Sequence, residues 1–161
     1  MNHASRVSRV LAIDPGYDRV GVAVMEGNTL LFSECYIPPK GALAERLLAV
    51  YRRITTLIKK HHPEAVAVET LFFTKNQKTA IAVAEARGVI VLAAAECDVS
   101  LFEYSPQDVK IAVTGNGAAE KSGVIKMVPK IVALPAGKRK DDEYDAIALA
   151  IAHQSRSRLP R

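Results

Sequence analysis

From Arg9 to Asp14 the chain passes through Val10, Leu11, Ala12 and Ile13 without a polar break, which predicts a buried strand. Asp14-Pro15-Gly16 then turns the chain. Val20–Met25 and Thr29–Tyr36 predict two further strands, joined by a short turn at Glu26-Gly27-Asn28. Three consecutive strands with tight turns form an antiparallel meander. After Pro38-Pro39-Lys40-Gly41, the residues Leu43, Leu47, Leu48, Val50, Tyr51, Ile54, Leu57 and Ile58 recur at helical spacing, and that helix ends near His61-His62-Pro63. Ala65–Glu69 is another short strand, so strand, long helix and strand predict a crossover to a parallel neighbour. An alanine-rich helix over Thr79–Ala95 and a fifth strand over Val99–Tyr104 follow. Three more helices are predicted: Pro106–Val113 with Ser105 as its cap, Ala119–Val132 with a kink at Pro129, and Asp142–Ser155. The order gives an α/β architecture, a mixed five-stranded sheet with helices on both faces.

Acidic residues occupy particular places in this scheme. Asp14 ends the first strand and Glu69 ends the fourth. A carboxylate directly after a buried strand is unfavourable unless its charge is offset. If those strands are neighbours, both carboxylates meet at one sheet edge, where sites in such architectures gather. Asp142 and Asp145 share a helix face, and so do Asp141 and Asp145, so spacing alone does not choose between Asp141 and Asp142. Residues Ala146–Ala152 behind them are all apolar, which holds the acidic turn against the body of the protein. Acids in a first helical turn also simply suit the helix dipole, and Asp before Pro-Gly is a common turn residue. Their convergence adds something more, because like charges brought together require cations among them. Oxygen ligands suit Mg²⁺ or Mn²⁺, and two such ions activate water and stabilise the leaving oxygen of a phosphodiester.

Composition narrows the class. The chain has 161 residues, 49% hydrophobic and 24% charged, ordinary for a globular protein and unlike a disordered or fibrous one. No apolar run approaches the roughly 20 residues of a membrane helix. Met1–Ser8 is polar and lacks a signal region, so a cytoplasmic protein is expected, with Cys35 and Cys97 as reduced thiols. The net charge of +5 is compatible with nucleic acid without requiring it. The placement of charge says more: Lys138-Arg139-Lys140 directly precedes Asp141-Asp142-Glu143, which suits a site holding metal ions and phosphates together.

Ile13-Asp14-Pro15-Gly16, Val68-Glu69-Thr70-Leu71-Phe72, Lys75-Asn76, Ala86-Arg87-Gly88, Ala119-Glu120-Lys121-Ser122 and Asp142-Glu143-Tyr144-Asp145-Ala146-Ile147-Ala148, running on to His153, follow one another in sequence. In order and spacing this set resembles the RuvC family of Holliday-junction resolvases. Each fragment is weak alone, and the ordered set is specific. The resemblance implies a ribonuclease-H-like fold, a single nuclease domain over residues 1–161, and a homodimer. It also implies paired incision of four-way junction DNA in recombination and repair, by hydrolysis with two Mg²⁺ per active site and Mn²⁺ as a substitute. It leaves room for a branch-migration motor complex as a further partner. Carried over by position, the catalytic and metal-binding residues are Asp14, Glu69, Asp142 and Asp145; the family pattern, and not the spacing, selects Asp142 over Asp141. Phe72 matches the family's loop aromatic, and Lys110 and Lys121 match positions facing the DNA backbone.

Lys75, Lys78, Lys110 and Lys121 are thus the basic residues placed near DNA. Lys121 also opens a helix behind the Gly115-Asn116-Gly117 loop, a favourable place for phosphate. Phe72 is expected to face outward and stack on an unpaired base, with Phe73 turned inward. His61-His62 read as a helix end, and His153 as either a residue behind the carboxylates or part of the core. The Thr79–Ala95 helix has Glu85 and Arg87 as its only charges, so either its own chain wraps it entirely or part of it packs against a second copy of the chain, the arrangement expected here. Two other readings compete: another ribonuclease-H-like nuclease acting on RNA–DNA hybrids or nicking duplex, and a non-catalytic DNA-binding module. Sugar-kinase-like ATPases also begin with Asp after a strand, but need phosphate loops and longer chains.

Overall fold

The computed structural model describes residues 8–71 and 77–157. The strands are β1 (Arg9–Asp14), β2 (Val20–Glu26), β3 (Thr29–Tyr36), β4 (Ala65–Glu69) and β5 (Ser100–Tyr104). The helices are α1 (Leu43–His61), α2 (Gln77–Glu96), α3 (Pro106–Thr114), α4 (Lys121–Ile131) and α5 (Asp141–Ser157). One five-stranded sheet runs β3-β2-β1-β4-β5. The meander pairs antiparallel, while β1–β4 and β4–β5 are parallel, as a helical crossover requires.

The unbroken apolar run of β1 is explained by two cores. Val10 and Ala12 face one side with Ala23, Met25, Ala65 and Ala67, under α3, α4 and α5. Leu11 and Ile13 face the other with Val22, Val24, Val66 and Val68, under α1 and α2. A strand covered on both faces has no polar alternation to show. On the α5 side Ala12, Ala23, Ala65 and Ala67 of the sheet are small, and so are Ala146, Ala148, Ala150 and Ala152 of the helix. Small side chains on both surfaces let α5 lie close to β1 and β2, which brings its first turn to the ends of the strands.

Helix ends follow local chemistry. Ser105 Oγ accepts from the Asp108 amide at 3.0 Å and the Asp108 carboxylate accepts from the Ser105 amide at 2.9 Å, a reciprocal box that starts α3. α4 runs on past Pro129 to Ile131. α2 is buried on one side only: Ala86, Ile90, Ala93 and Ala94 enter the core, whereas Ile81 and Leu92 are 60% and 58% exposed. Arg87 reaches across from α2 to pair with Glu103 of β5. Among the described residues, no helix is long and apolar enough to cross a membrane.

Candidate active site

Parallel pairing sets the first two carboxylates. The β1–β4 register ends with Ile13 opposite Val68, so the next residues, Asp14 and Glu69, leave neighbouring strands side by side. β2 brings Gly21 opposite Asp14. A Cβ on Gly21 would sit 1.9 Å from the backbone oxygen of Asp142 and 3.2 Å from the Asp14 Cβ. No side chain fits there, and the first turn of α5 consequently rests on the β2 backbone directly beside Asp14. Gly16 serves the preceding turn, where a Cβ would meet the Arg19 carbonyl oxygen at 2.1 Å. Asp142 on that first turn and Asp145 at the start of the next complete a group of four carboxylates.

The charges act on one another. Burial, then the charges of Asp145, Glu69 and Asp142, push the Asp14 carboxyl well above the usual range, with Lys121 opposing. Burial and Asp145 raise Glu69 to about 6, against the pull of Lys121 and Lys110. Burial likewise raises Asp145, against its hydrogen bond to Lys121. The Lys121 ammonium is held above its usual range: burial works against its charge, but Asp145, Asp141 and Asp14 outweigh it.

Two of the four are engaged by cations of the chain itself. Lys121 Nζ donates to Asp145 Oδ2 at 2.8 Å and lies 3.8 Å from Asp141 Oδ2. Arg19 Nε lies 3.2 Å from Asp142 Oδ2, and the Cys35 thiol is 3.8 Å from the same oxygen. Burial and the Asp142 charge raise the thiol's pKa, which keeps Cys35 a neutral donor. With Asp145 and Asp142 drawn toward Lys121 and Arg19, no three acidic, histidine or cysteine side chains among the described residues close around one point. The donor chemistry nonetheless suits a hard divalent cation: oxygen only, partly buried, and more negative than Lys121 and Arg19 can neutralise. A cavity of about 150 Å³ adjoins the group, between Glu69, Lys110, Lys121 and Asp145, with Val109 and Val124 in its walls. A larger hollow of about 590 Å³ opens at the other end of the parallel strands, beside Thr55, His62, Glu96 and Cys97. Size does not select it, because the carboxylates and the carboxyl ends of the strands are elsewhere.

The expected residues are distributed unevenly. Asp14, Glu69, Asp142 and Asp145 come together, and Lys110 and Lys121 line the adjoining cavity. Lys78 is exposed in the first turn of α2. Phe72, Phe73 and Lys75 lie outside the described residues. Arg139 corrects the reading of the basic run as a phosphate-facing cluster: its side chain is only 10% exposed and pairs with Glu143, Nε to Oε1 3.2 Å. Lys138 and Lys140 alone remain exposed. His153 belongs to the core, 5% exposed, its Nδ1 2.9 Å from the Tyr104 hydroxyl. Arg19, Gly21 and Cys35 were not singled out from sequence. The available signal was the strand-end acid itself, since the turn and strand that follow it must border the same edge.

Comparison with known proteins agrees with this geometry. A family model described as crossover junction endodeoxyribonuclease RuvC matches residues 10–153. Among curated relatives, the crossover junction endodeoxyribonuclease RuvC of Pelotomaculum thermopropionicum is 44% identical over 153 residues, covering 89% of this chain and 91% of the relative. That of Thermotoga petrophila is 39% identical, covering 95% and 96%. The structure of T. thermophilus RuvC in complex with Holliday junction substrate superposes with a TM-score of 0.86 at 34% identity, covering 94% of this chain and 95% of that one. The yeast mitochondrial Holliday junction resolvase Ydc2 shares the fold, with a TM-score of 0.71 at 14% identity. With the sheet order, the carboxylate edge and these matches in agreement over nearly the whole described chain, this protein belongs to the RuvC family of crossover junction endodeoxyribonucleases.

Proposed function

We propose that this chain resolves Holliday junctions by metal-dependent hydrolysis at Asp14, Glu69, Asp142 and Asp145, as one nuclease domain over residues 1–161 acting in the cytoplasm. The observation that carries the reading is the parallel β1–β4 register, which sets Asp14 beside Glu69, facing the first turn of α5. Divalent cations, two Mg²⁺ with Mn²⁺ as substitute, would supply an activated water and charge at the leaving oxygen. The chain's own residues do the rest. Asp14 and Glu69 are fixed by the sheet and define where the reacting phosphate lies. Asp142 and Asp145 approach on a helix buried from Ala146 to Gln154, so they move as a unit. Lys121 and Arg19, about half exposed, reach the phosphate backbone from the rim of the same group. Lys110 faces Glu69 across the cavity, and exposed Lys78 of α2 adds a further basic contact; Phe72 and Lys75 join the DNA contacts on the sequence resemblance alone.

Paired incision calls for two sites, and the outer face of α2 supports a homodimer. Ile81, Ala84, Gly88 and Leu92 follow one another at helical spacing on that face, and all are exposed. A Cβ on Gly88 would meet nothing within 4 Å. A bare centre flanked by Ile81 and Leu92 suits the same surface of a second copy across a two-fold axis. Sedimentation at micromolar concentration should give a dimer, and a strict monomer, alone and on junction DNA, would overturn this part. The activity itself is tested by comparing a labelled four-way junction, an RNA–DNA hybrid and a linear duplex with and without Mg²⁺. Symmetric, Mg²⁺-dependent nicks in the junction alone are expected; preference for the hybrid or duplex would favour the competing nuclease reading.

A further inference from the structure

Glu143 has no part in the chemistry above, yet it stands directly beside Asp142 and is only 13% exposed. An ionised carboxylate so far from water needs partners, and Glu143 has them on two sides. Its Oε1 accepts from Ser33 Oγ at 2.7 Å and lies 3.2 Å from Arg139 Nε. Arg139 in turn donates from Nη2 to the Pro135 carbonyl at 2.9 Å. One carboxylate therefore joins β3, the first turn of α5 and the loop that leads into it.

The other end of this arrangement is Asp142. Ser33 and Cys35 are two apart on β3 and project to the same face of the strand. Ser33 holds Glu143, and Cys35 lies 3.8 Å from Asp142 Oδ2, so one strand face seats two consecutive residues of the helix. Among the described residues, the other partner of Asp142 is Arg19, whose side chain is 55% exposed and therefore a weak restraint. The buried link beside it is the firmer one. We propose that Glu143, held by Ser33 and Arg139, is a positioning residue that sets the rotation of the α5 first turn and so the aim of Asp142. This rests on the reading of Asp142 as a cation ligand. It follows the general behaviour of groups that orient a ligand without touching the ion, whose loss lowers metal affinity about tenfold or more.

The test measures Mn²⁺ binding to the whole protein directly, by the resonance signal of the free ion, with junction cleavage and thermal unfolding recorded alongside. Ser33→Ala leaves every charge in place and removes one hydrogen bond; it should weaken Mn²⁺ binding by about fivefold, the equivalent of that bond. Glu143→Ala should weaken it by about tenfold or more. In an Asp142→Asn background both effects should fall below about twofold, since the residue being aimed is already lost. Should Glu143→Ala fail to fold, Ser33→Ala decides alone. Unchanged Mn²⁺ affinity in Ser33→Ala, or effects of the same size in the Asp142→Asn background, would overturn the inference while leaving the active-site reading intact. If Asp142→Asn itself binds Mn²⁺ like the wild type, the ligand reading of Asp142 falls, and this inference with it.

Discussion

Replacing Gly21 with alanine perturbs the carboxylate group without touching a carboxylate. The added methyl would lie 1.9 Å from the Asp142 carbonyl oxygen and 2.6 Å from its carbon, both backbone atoms that cannot rotate away. Restoring ordinary contact at 3.4 Å requires the α5 first turn to retreat by about 1.5 Å. Overpacking of this kind costs about 1–3 kcal/mol of stability, partly offset by the lower unfolded-state entropy of alanine. The larger effect should be on catalysis, because a misplacement of about 1 Å costs on the order of a hundredfold in rate. Gly123→Ala in α4, where a Cβ meets nothing within 4 Å, is the control and should gain up to about 1 kcal/mol. Urea unfolding and single-turnover cleavage of a labelled junction measure the two effects. Gly21→Ala cutting within threefold of the wild-type rate would refute the claim that α5 is seated on the β2 backbone.

Three further outcomes follow from the site. Glu69 is raised to about 6 from 4.5, so the folded state binds more protons than the unfolded state between those values and metal-free stability falls as pH rises through them. Glu69→Gln should therefore unfold at higher urea than wild type at pH 7 without metal, by about 2 kcal/mol, and lose that advantage at acid pH; equal stability at pH 7 would contradict the repulsion described. Asp142→Asn should lose far more cleavage than Asp141→Asn, whose carboxylate is 67% exposed against 20% for Asp142; the reverse order would put the helix assignment one residue out of place. Lys121→Ala should weaken junction binding whatever the DNA sequence and reduce the salt slope by about one; a sequence-selective loss in gel-shift titrations would argue against a phosphate contact.

Much of the fold was legible because its signals are local. Strand β1 declared burial by an unbroken apolar run, and α1 by its helical spacing; Ser105 and Pro106 marked the start of α3. The four carboxylates were legible as strand-end and first-turn residues, although spacing alone left Asp141 and Asp142 equal. Their exposure differs, 67% for Asp141 against 20% for Asp142, and that difference depends on how α5 lies against β2 and β3. Arg139 was misread for the same reason. A basic run before an acidic turn looks like solvated or phosphate-facing charge, and only the fold reveals a helix turn folded back onto Ser33, which lies 110 residues from Glu143 in the chain. Arg19 and Cys35 were equally silent, being ordinary residues until β2 and β3 bring them to Asp142. His153 resolved to the core through Tyr104, a contact between elements that no pattern encodes. The α2 pattern shows few charges but not which side is covered; the fold buries Ala86, Ile90, Ala93 and Ala94 and leaves Ile81 and Leu92 exposed.

Asp14 and Glu69, set side by side by parallel pairing, are proposed to form with α5 a cation-dependent cutting site. This is tested most directly by measuring junction binding and Mg²⁺-dependent cleavage in the same samples for wild type, Asp14→Asn and Glu69→Gln. Both variants should bind the four-way junction about as tightly as wild type and fail to cut it at any Mg²⁺ concentration. Cleavage near the wild-type rate in either variant would remove that carboxylate from the cutting site.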